Sequence, residues 1–245
     1  MKQASVSDAA DELFLLSREY GRFGTILADP PWRFANRTGK MAPEHRRLLR
    51  YPTMSFQEIM ELPVAQLALP ESHLYLWVPN ALIREGMETM ERWGFTYKTN
   101  LVWYKVRKDG GPDGRGVGFY FRNVTELVLF GVRGGIRTLA AGRRQVNIMV
   151  SRKREHSRKP DEIYDIVEQC SPGPYLELFA RHPRPGWIQW GNEVDNGLVL
   201  EVDADEQGMP AQESSAVAGN AGRQSSPFAQ PRLLETRESY DSTTD

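Results

Sequence analysis

The sequence predicts an α/β protein built on a layered sheet. Short apolar runs rich in β-branched and aromatic residues alternate with stretches of helical periodicity. Two of those stretches open on clear start signals. Strands alternating with helices imply such a sheet, whose ligands gather at the carboxyl ends of strands.

Taken in order, a short helix is expected around Asp8 to Arg18, and Thr25 to Ala28 reads as the first strand. Ser55-Phe56-Gln57-Glu58 is a capping box, in which the serine and the glutamate each satisfy a backbone N–H at a helix start. Ser72 to Val78 is the next strand, after which Asn80 is expected to cap a helix whose Leu82, Ile83, Met87, Met90 and Trp93 recur at core-facing helical spacing. Phe95 to Val106, Thr125 to Val132 and Val146 to Val150 are further strands. Lys159-Pro160-Asp161-Glu162 begins a helix with proline at its first position and acids in its first turn. Tyr175 to Ala180 and Trp187 to Trp190 close the series.

With 245 residues, 40% of them hydrophobic, the chain suits one globular domain with appendages. The expected division is an N-terminal extension (1–22), a main domain (23–194) and an acidic tail (195–245), of which about 205–245 is too polar to offset its ordering entropy. One cysteine, Cys170, excludes an internal disulfide, and no Cys and His pair has zinc-site spacing, so no metal is expected. The start lacks the basic and long apolar regions of a signal peptide, and no apolar run approaches a membrane span, so a cytoplasmic protein is expected. The net charge of -1 hides a segregation: from Glu193 onward eleven acids face three arginines, while 28 basic residues face 21 acids before it. A basic body can bind polyanions, although many proteins with such a surface bind none.

The residues Asp29-Pro30-Pro31-Trp32 follow the first strand directly. Two successive rings hold the Asp29 carboxylate and the Pro30 carbonyl in fixed orientation as acceptors, and Trp32 supplies a π-face. An amino group on a flat heterocycle such as adenine or cytosine suits that set. Its lone pair is delocalised into the ring, and acceptors for both N–H bonds favour the tetrahedral form in which the nitrogen can attack. The same four residues also suit a bare structural turn.

Further along stand Tyr51-Pro52-Thr53-Met54-Ser55, Leu76-Trp77-Val78, Trp103-Tyr104-Lys105, Ser157 to Tyr164, Glu177 to Arg181 and Trp187 to Asn192. In this order, over about residues 23–194, the set resembles the family of the catalytic subunit of eukaryotic mRNA adenosine methyltransferase and its bacterial and phage relatives. The resemblance implies a Rossmann-like, S-adenosylmethionine (SAM)-dependent methyltransferase fold with permuted motif order, which accounts for the missing G-x-G-x-x-G fingerprint. It implies methyl transfer from SAM to the exocyclic amine of adenine in nucleic acid. Asp29, Pro30, Pro31 and Trp32 then match the catalytic motif, with Asp29 also near the amino group of the cofactor's methionine part. Lys159 matches the lysine that meets the cofactor carboxylate. Arg181 and Asn192 match ribose or adenosine contacts, and Glu193 stands where the eukaryotic enzyme has glutamine. His182-Pro183-Arg184-Pro185-Gly186 is shorter than its counterpart, and residues 10–23 offer no counterpart to the acid that family places near the cofactor's adenine.

Basic segments would flank the target. Residues 33–50 carry Arg33, Arg37, Lys40, Arg46, Arg47 and Arg50 against Glu44, and residues 133–159 carry nine Lys or Arg, Arg154 among them, against Glu155. Such loops can hold a phosphate backbone while a base swings out, or can be merely solvated. His156 reads as a phosphate contact or a surface residue. Asn123 and Glu126 either orient the target or serve as capping and core-polar groups. The expected partner is nucleic acid, DNA before RNA by analogy with the compact bacterial relatives. Competing readings are a non-catalytic nucleic-acid-binding relative, an interaction protein working through its acidic tail, and an enzyme acting on cytosine or a protein amide.

Overall fold

A computed structural model of the chain describes residues 6–33, 53–114, 120–152, 158–194 and 197–198. All of these lie in one compact unit, Met1–Val202; the second unit, Asp203–Asp245, holds the expected disordered tail and lies outside the described residues.

The chain opens with helix α1 (Val6–Tyr20) and strand β1 (Phe23–Ala28), continues through α2 (Phe56–Glu61), α3 (Val64–Leu67) and β2 (Ala68–Val78), and then α4 (Ile83–Arg92), β3 (Thr96–Val106) and β4 (Thr125–Arg133). After β5 (Ile148–Arg152) come α5 (Glu162–Cys170), β6 (Tyr175–Leu178), β7 (Trp187–Trp190) and the two-residue β8 (Gly197–Leu198). One sheet of eight strands runs in the order β5-β3-β4-β2-β1-β6-β7-β8. Strands β1, β2, β3, β5, β6 and β7 are parallel, and β4 and β8 run against them.

Period-two alternation divides every central strand between two cores. Ile26, Leu74, Leu76, Leu129, Leu176 and Ile188 face a cluster with α1 to α4, whereas Leu27, Tyr75, Trp77, Trp103, Phe130 and Trp187 face one with α5. The result is a three-layer sandwich, and both faces of the central strands are buried. From β1 the chain passes to its neighbour β2, skips one place to β3, returns between the two as β4 and leaves for β5 at the edge; then α5 carries it back to the middle, and it works outward the other way through β6, β7 and β8. The order reverses between β1 and β6, which opens a crevice at their carboxyl ends.

Local start signals hold with two corrections. The Ser55–Glu58 capping box is complete, with both reciprocal bonds in place. Asn80 does not cap the following helix: it enters a 3-10 turn (Asn80–Leu82) and its side-chain amide donates to the Thr125 carbonyl and hydroxyl at 3.2 Å, tying the end of β2 to the start of β4. Pro160 stands two residues before α5 rather than at its first position, because Asp161 takes the cap position in αR conformation. Helix α1 packs Leu13 with no exposed surface into the core, and Glu12 accepts the indole N–H of Trp190 at 2.8 Å.

Candidate active site

On the α5 face, polar residues stand at the carboxyl edge of one strand after another. Trp103 and Lys105 end β3, Glu126 begins the antiparallel β4, Trp77 ends β2, Asp29 follows β1, Glu177 lies in β6 and Gln189 in β7. Alternation aims them at one side, because Asp29 follows Leu27, Glu126 precedes Val128 and Glu177 follows Tyr175 by steps of two.

The row is a chain of alternating charge. Lys159 donates to both oxygens of Asp29, at 2.9 and 2.8 Å, and lies 3.5 Å from Glu126. Lys105 forms a short bond to the other oxygen of Glu126. Each amine rests on an indole, Lys159 5.0 Å from the Trp77 ring centroid and Lys105 4.7 Å from that of Trp103. Burial pulls the Lys159 pKa down, but the Asp29 and Glu126 carboxylates outweigh it and hold the amine above the ordinary lysine value. Burial likewise pushes Glu126 up, and Lys159 and Lys105 overcome it and leave the acid below the ordinary range.

Glu177 is the opposite case. Burial, with a smaller push from Asp29, raises its carboxyl to about 7 even though Gln189 and Tyr164 donate hydrogen bonds to it at 2.6 and 2.9 Å. A carboxyl poised there beside an acid–lysine pair is the kind of perturbed group that marks functional clefts. Beyond β6 the chain turns through Phe179, whose φ of 66° places a bulky residue in the left-handed region. Its ring packs edge-on against Trp190, with centroids 5.3 Å apart.

Asp29, Lys159, Trp77, Glu177, Tyr164 and Arg181 border a cavity of about 200 Å³ at the switch point. Its donor set is an acid, an amine and a guanidinium, with a carboxyl that takes a proton near neutrality. Such a set can hold a zwitterion and hydroxyls together. No group of three His, Cys, Asp or Glu side chains suited to a metal ion occurs among the described residues.

A family model described as MT-A70 matches residues 23–193. The chain belongs to the MT-A70 family. Its sheet accords with a Rossmann-like methyltransferase fold. Among curated relatives, it is 34% identical to a putative N(6)-adenosine-methyltransferase MT-A70-like protein of Medicago truncatula, over 81% of this chain and 32% of the relative. It is 30% identical to the human N(6)-adenosine-methyltransferase catalytic subunit METTL3, over 75% of this chain and 30% of the relative. It is 27% identical to the type II methyltransferase M.MunI of a Mycoplasma, over 75% of this chain and 83% of the relative. The chain thus spans about a third of the length of the plant and human relatives.

Within this MT-A70 site, the structure brings Asp29, Lys159, Glu126 and Arg181 together. Arg181 reaches Glu193 at 4.0 Å, while Asn192 is exposed on the same turn. The Pro30 carbonyl accepts the Trp32 N–H at 2.8 Å, which folds the two prolines back on themselves, and a carbonyl keeps a second lone pair. Pro31 accepts from Met54, so the corner is tied to the chain ahead of α2. Trp32 requires a correction. Its ring is 5% exposed within the α1-to-α4 core and its N–H is bonded to the Trp77 carbonyl at 2.9 Å, so it wedges the corner in place and offers no face to a planar ligand. Alternation after β1 sends it through the sheet edge to the other layer. Arg33 is exposed and bonds Thr53, and Asn123 is exposed just ahead of β4. Arg154 and His156, and the basic stretch from 34 to 52, lie outside the described residues.

Four residues at the MT-A70 site escape a linear reading: Trp77, Tyr164, Glu177 and Gln189. For Glu177 and Gln189 the signal is a polar group interrupting an apolar strand, in Tyr175-Leu176-Glu177-Leu178 and Trp187-Ile188-Gln189-Trp190. Arg184, whose role the short His182-to-Gly186 segment left open, anchors that segment to α5 through Glu168 at 3.1 Å and lies over the Tyr164 ring.

Proposed function

We propose that this chain is a SAM-dependent methyltransferase that methylates the exocyclic amine of adenine in nucleic acid. The carrying observation is the Asp29–Lys159 pair at the β1/β6 switch point, on the proline corner. The donor set there fits the cofactor: Lys159 matches its carboxylate, Asp29 its ammonium, and Arg181 with Glu193 its hydroxyls. SAM supplies an electrophilic methyl group on sulfonium.

The chain's own residues do the rest. Lys159 shares its charge between two carboxylates, so it can turn toward an anionic ligand while Glu126 and Lys105 keep the local balance. Asp29 is then released from part of its bond to Lys159 and accepts one N–H of the adenine amine, and the free lone pair of the Pro30 carbonyl accepts the other. Engaging both N–H bonds favours the tetrahedral nitrogen, and this preference grows toward the transition state. The amine needs no prior deprotonation, because methylation acidifies it and the proton leaves afterward.

We favour DNA over RNA as acceptor by analogy with the type II methyltransferase M.MunI, to which the chain is 27% identical. Incubation with isotopically labelled SAM and matched DNA and RNA pools, followed by mass spectrometry of the digested nucleosides, tests both statements. Label in N6-methylated adenine is expected, greatest from DNA, and is abolished in a folded Asp29→Ala variant. Label in cytosine, or an Asp29→Ala variant with wild-type rate, overturns the reading.

A further inference from the structure

The hairpin between β3 and β4 carries two consecutive aromatic residues, Tyr120 and Phe121, that are 94% and 86% exposed. No other large hydrophobic residue among those described exceeds 63%. The surroundings are not apolar. Arg122 and Asn123, exposed, follow them directly, Arg107 and Lys108 are exposed on the other arm of the hairpin, and the sequence between is rich in glycine. The described base of the hairpin is well built: Asp113 N–H donates to the Lys105 carbonyl at 2.9 Å, Arg107 grips Asp109 with two bonds, and Arg122 donates to the Gly114 carbonyl at 2.9 Å.

Its position matters as much as its composition. Strand β4 runs against β1, β2 and β3, so its beginning and the end of β3 lie on the same carboxyl edge as Asp29. Phe121 precedes Glu126 by five positions, a reach of at most about 18 Å. The rings therefore belong to the edge of the sheet that carries Asp29, within that reach of Glu126.

We propose that Tyr120 and Phe121 are a stacking platform for unpaired bases that neighbour the target adenine. The inference rests on the nucleic-acid reading above and names the part of the chain that grips the strand. Interleaved cations and aromatic rings suit a single strand, whose every base offers a π-face, whereas the centre of a protein interface is depleted of charge. Extruding a base also leaves its neighbours unstacked, and exposed rings replace the lost partner.

The test uses the full chain and fluorescein-labelled single-stranded and duplex oligonucleotides, as both DNA and RNA, titrated by anisotropy. A Tyr120→Ala/Phe121→Ala double variant is expected to bind single strands about 5- to 150-fold more weakly for each ring engaged, while Tyr120→Trp/Phe121→Trp retains affinity. SAM affinity by calorimetry and sedimentation mass stay unchanged. Quenching of 2-aminopurine placed beside the adenine is expected with wild type and lost with the alanine pair. Equal nucleic-acid affinity of wild type and the alanine pair overturns the platform, as does a change in sedimentation mass, which would assign the rings to contact with another protein copy. Binding and quenching need no turnover, so a wild type that stacks 2-aminopurine but transfers no methyl group sinks the enzymatic reading and leaves the platform standing.

Discussion

Replacing Glu177 with glutamine should flatten the neutral-pH dependence of stability. Folding raises the Glu177 carboxyl from 4.5 to about 7, so between those values the folded chain holds a proton that the unfolded chain has released. The sign follows: the contribution is fully present below about pH 4.5 and is lost as pH rises through 7. At about 1.4 kcal/mol per unit, the complete shift amounts to about 3 kcal/mol, most of which falls between pH 5 and pH 8. The amide of a Glu177→Gln variant cannot titrate. It also leaves either Tyr164 or Gln189 with a poorer acceptor, but that offset is the same at every pH. Urea unfolding of both proteins at several pH values would read the difference, with the wild type losing about 2–3 kcal/mol more than the variant over that range. Parallel curves would show that the pocket is wetter than its geometry implies and that Glu177 titrates normally.

Other substitutions address the rest of the frame. Lys105→Met should lower stability by about 1–3 kcal/mol in urea unfolding by leaving Glu126 short of a partner, and Lys105→Arg should recover most of it; a methionine variant as stable as wild type would remove Lys105 from the network. His73 is fully buried, 2.7 Å from the Ser171 hydroxyl through Nδ1, and burial, opposed by the Ile136 carbonyl, holds its pKa below 6.5. Its stabilising contribution is thus lost as pH falls below about 6.5, and His73→Gln should unfold with a weaker acid dependence in the same assay, whereas identical acid limbs would refute this. A Cβ at Gly191 would overlap the Ala180 carbonyl oxygen and lie 2.7 Å from its nitrogen, so Gly191→Ala should cost about 2 kcal/mol or more, checked by thermal melting; an unchanged midpoint would contradict the close approach.

The fold was legible because its signals are local. Thr25-Ile26-Leu27, Ser72 to Val78 and Trp187 to Trp190 are apolar enough to be buried on both faces, and the Ser55 box states its own purpose. Asp29 and Lys159 were legible through their motifs. What stayed hidden depends on neighbours that only the sheet order supplies. Nothing in the sequence shows that Glu177 and Asp29 stand on adjacent strands, or that β4 runs backward and delivers Glu126 to Lys159. Trp32 misled for the same reason: a tryptophan beside an acid resembles a platform until alternation and the Trp77 carbonyl draw it to the opposite layer. Asn80 carries the right chemistry for a cap, yet Thr125, which belongs to a strand 45 residues later, takes its amide.

Helix α1 precedes the residues that the MT-A70 model matches, yet it contributes Leu13 to the interior and Glu12 to Trp190. Trimming the protein to residues 23–193 for expression would therefore remove a supporting beam and not a loose end. Trp190 would lose its acceptor one residue before Gly191-Asn192-Glu193, so a shortened product could fold around the Asp29–Lys159 pair while its Arg181–Glu193 side drifts. Fusion partners and cleavage sites belong ahead of Val6, where the helix starts.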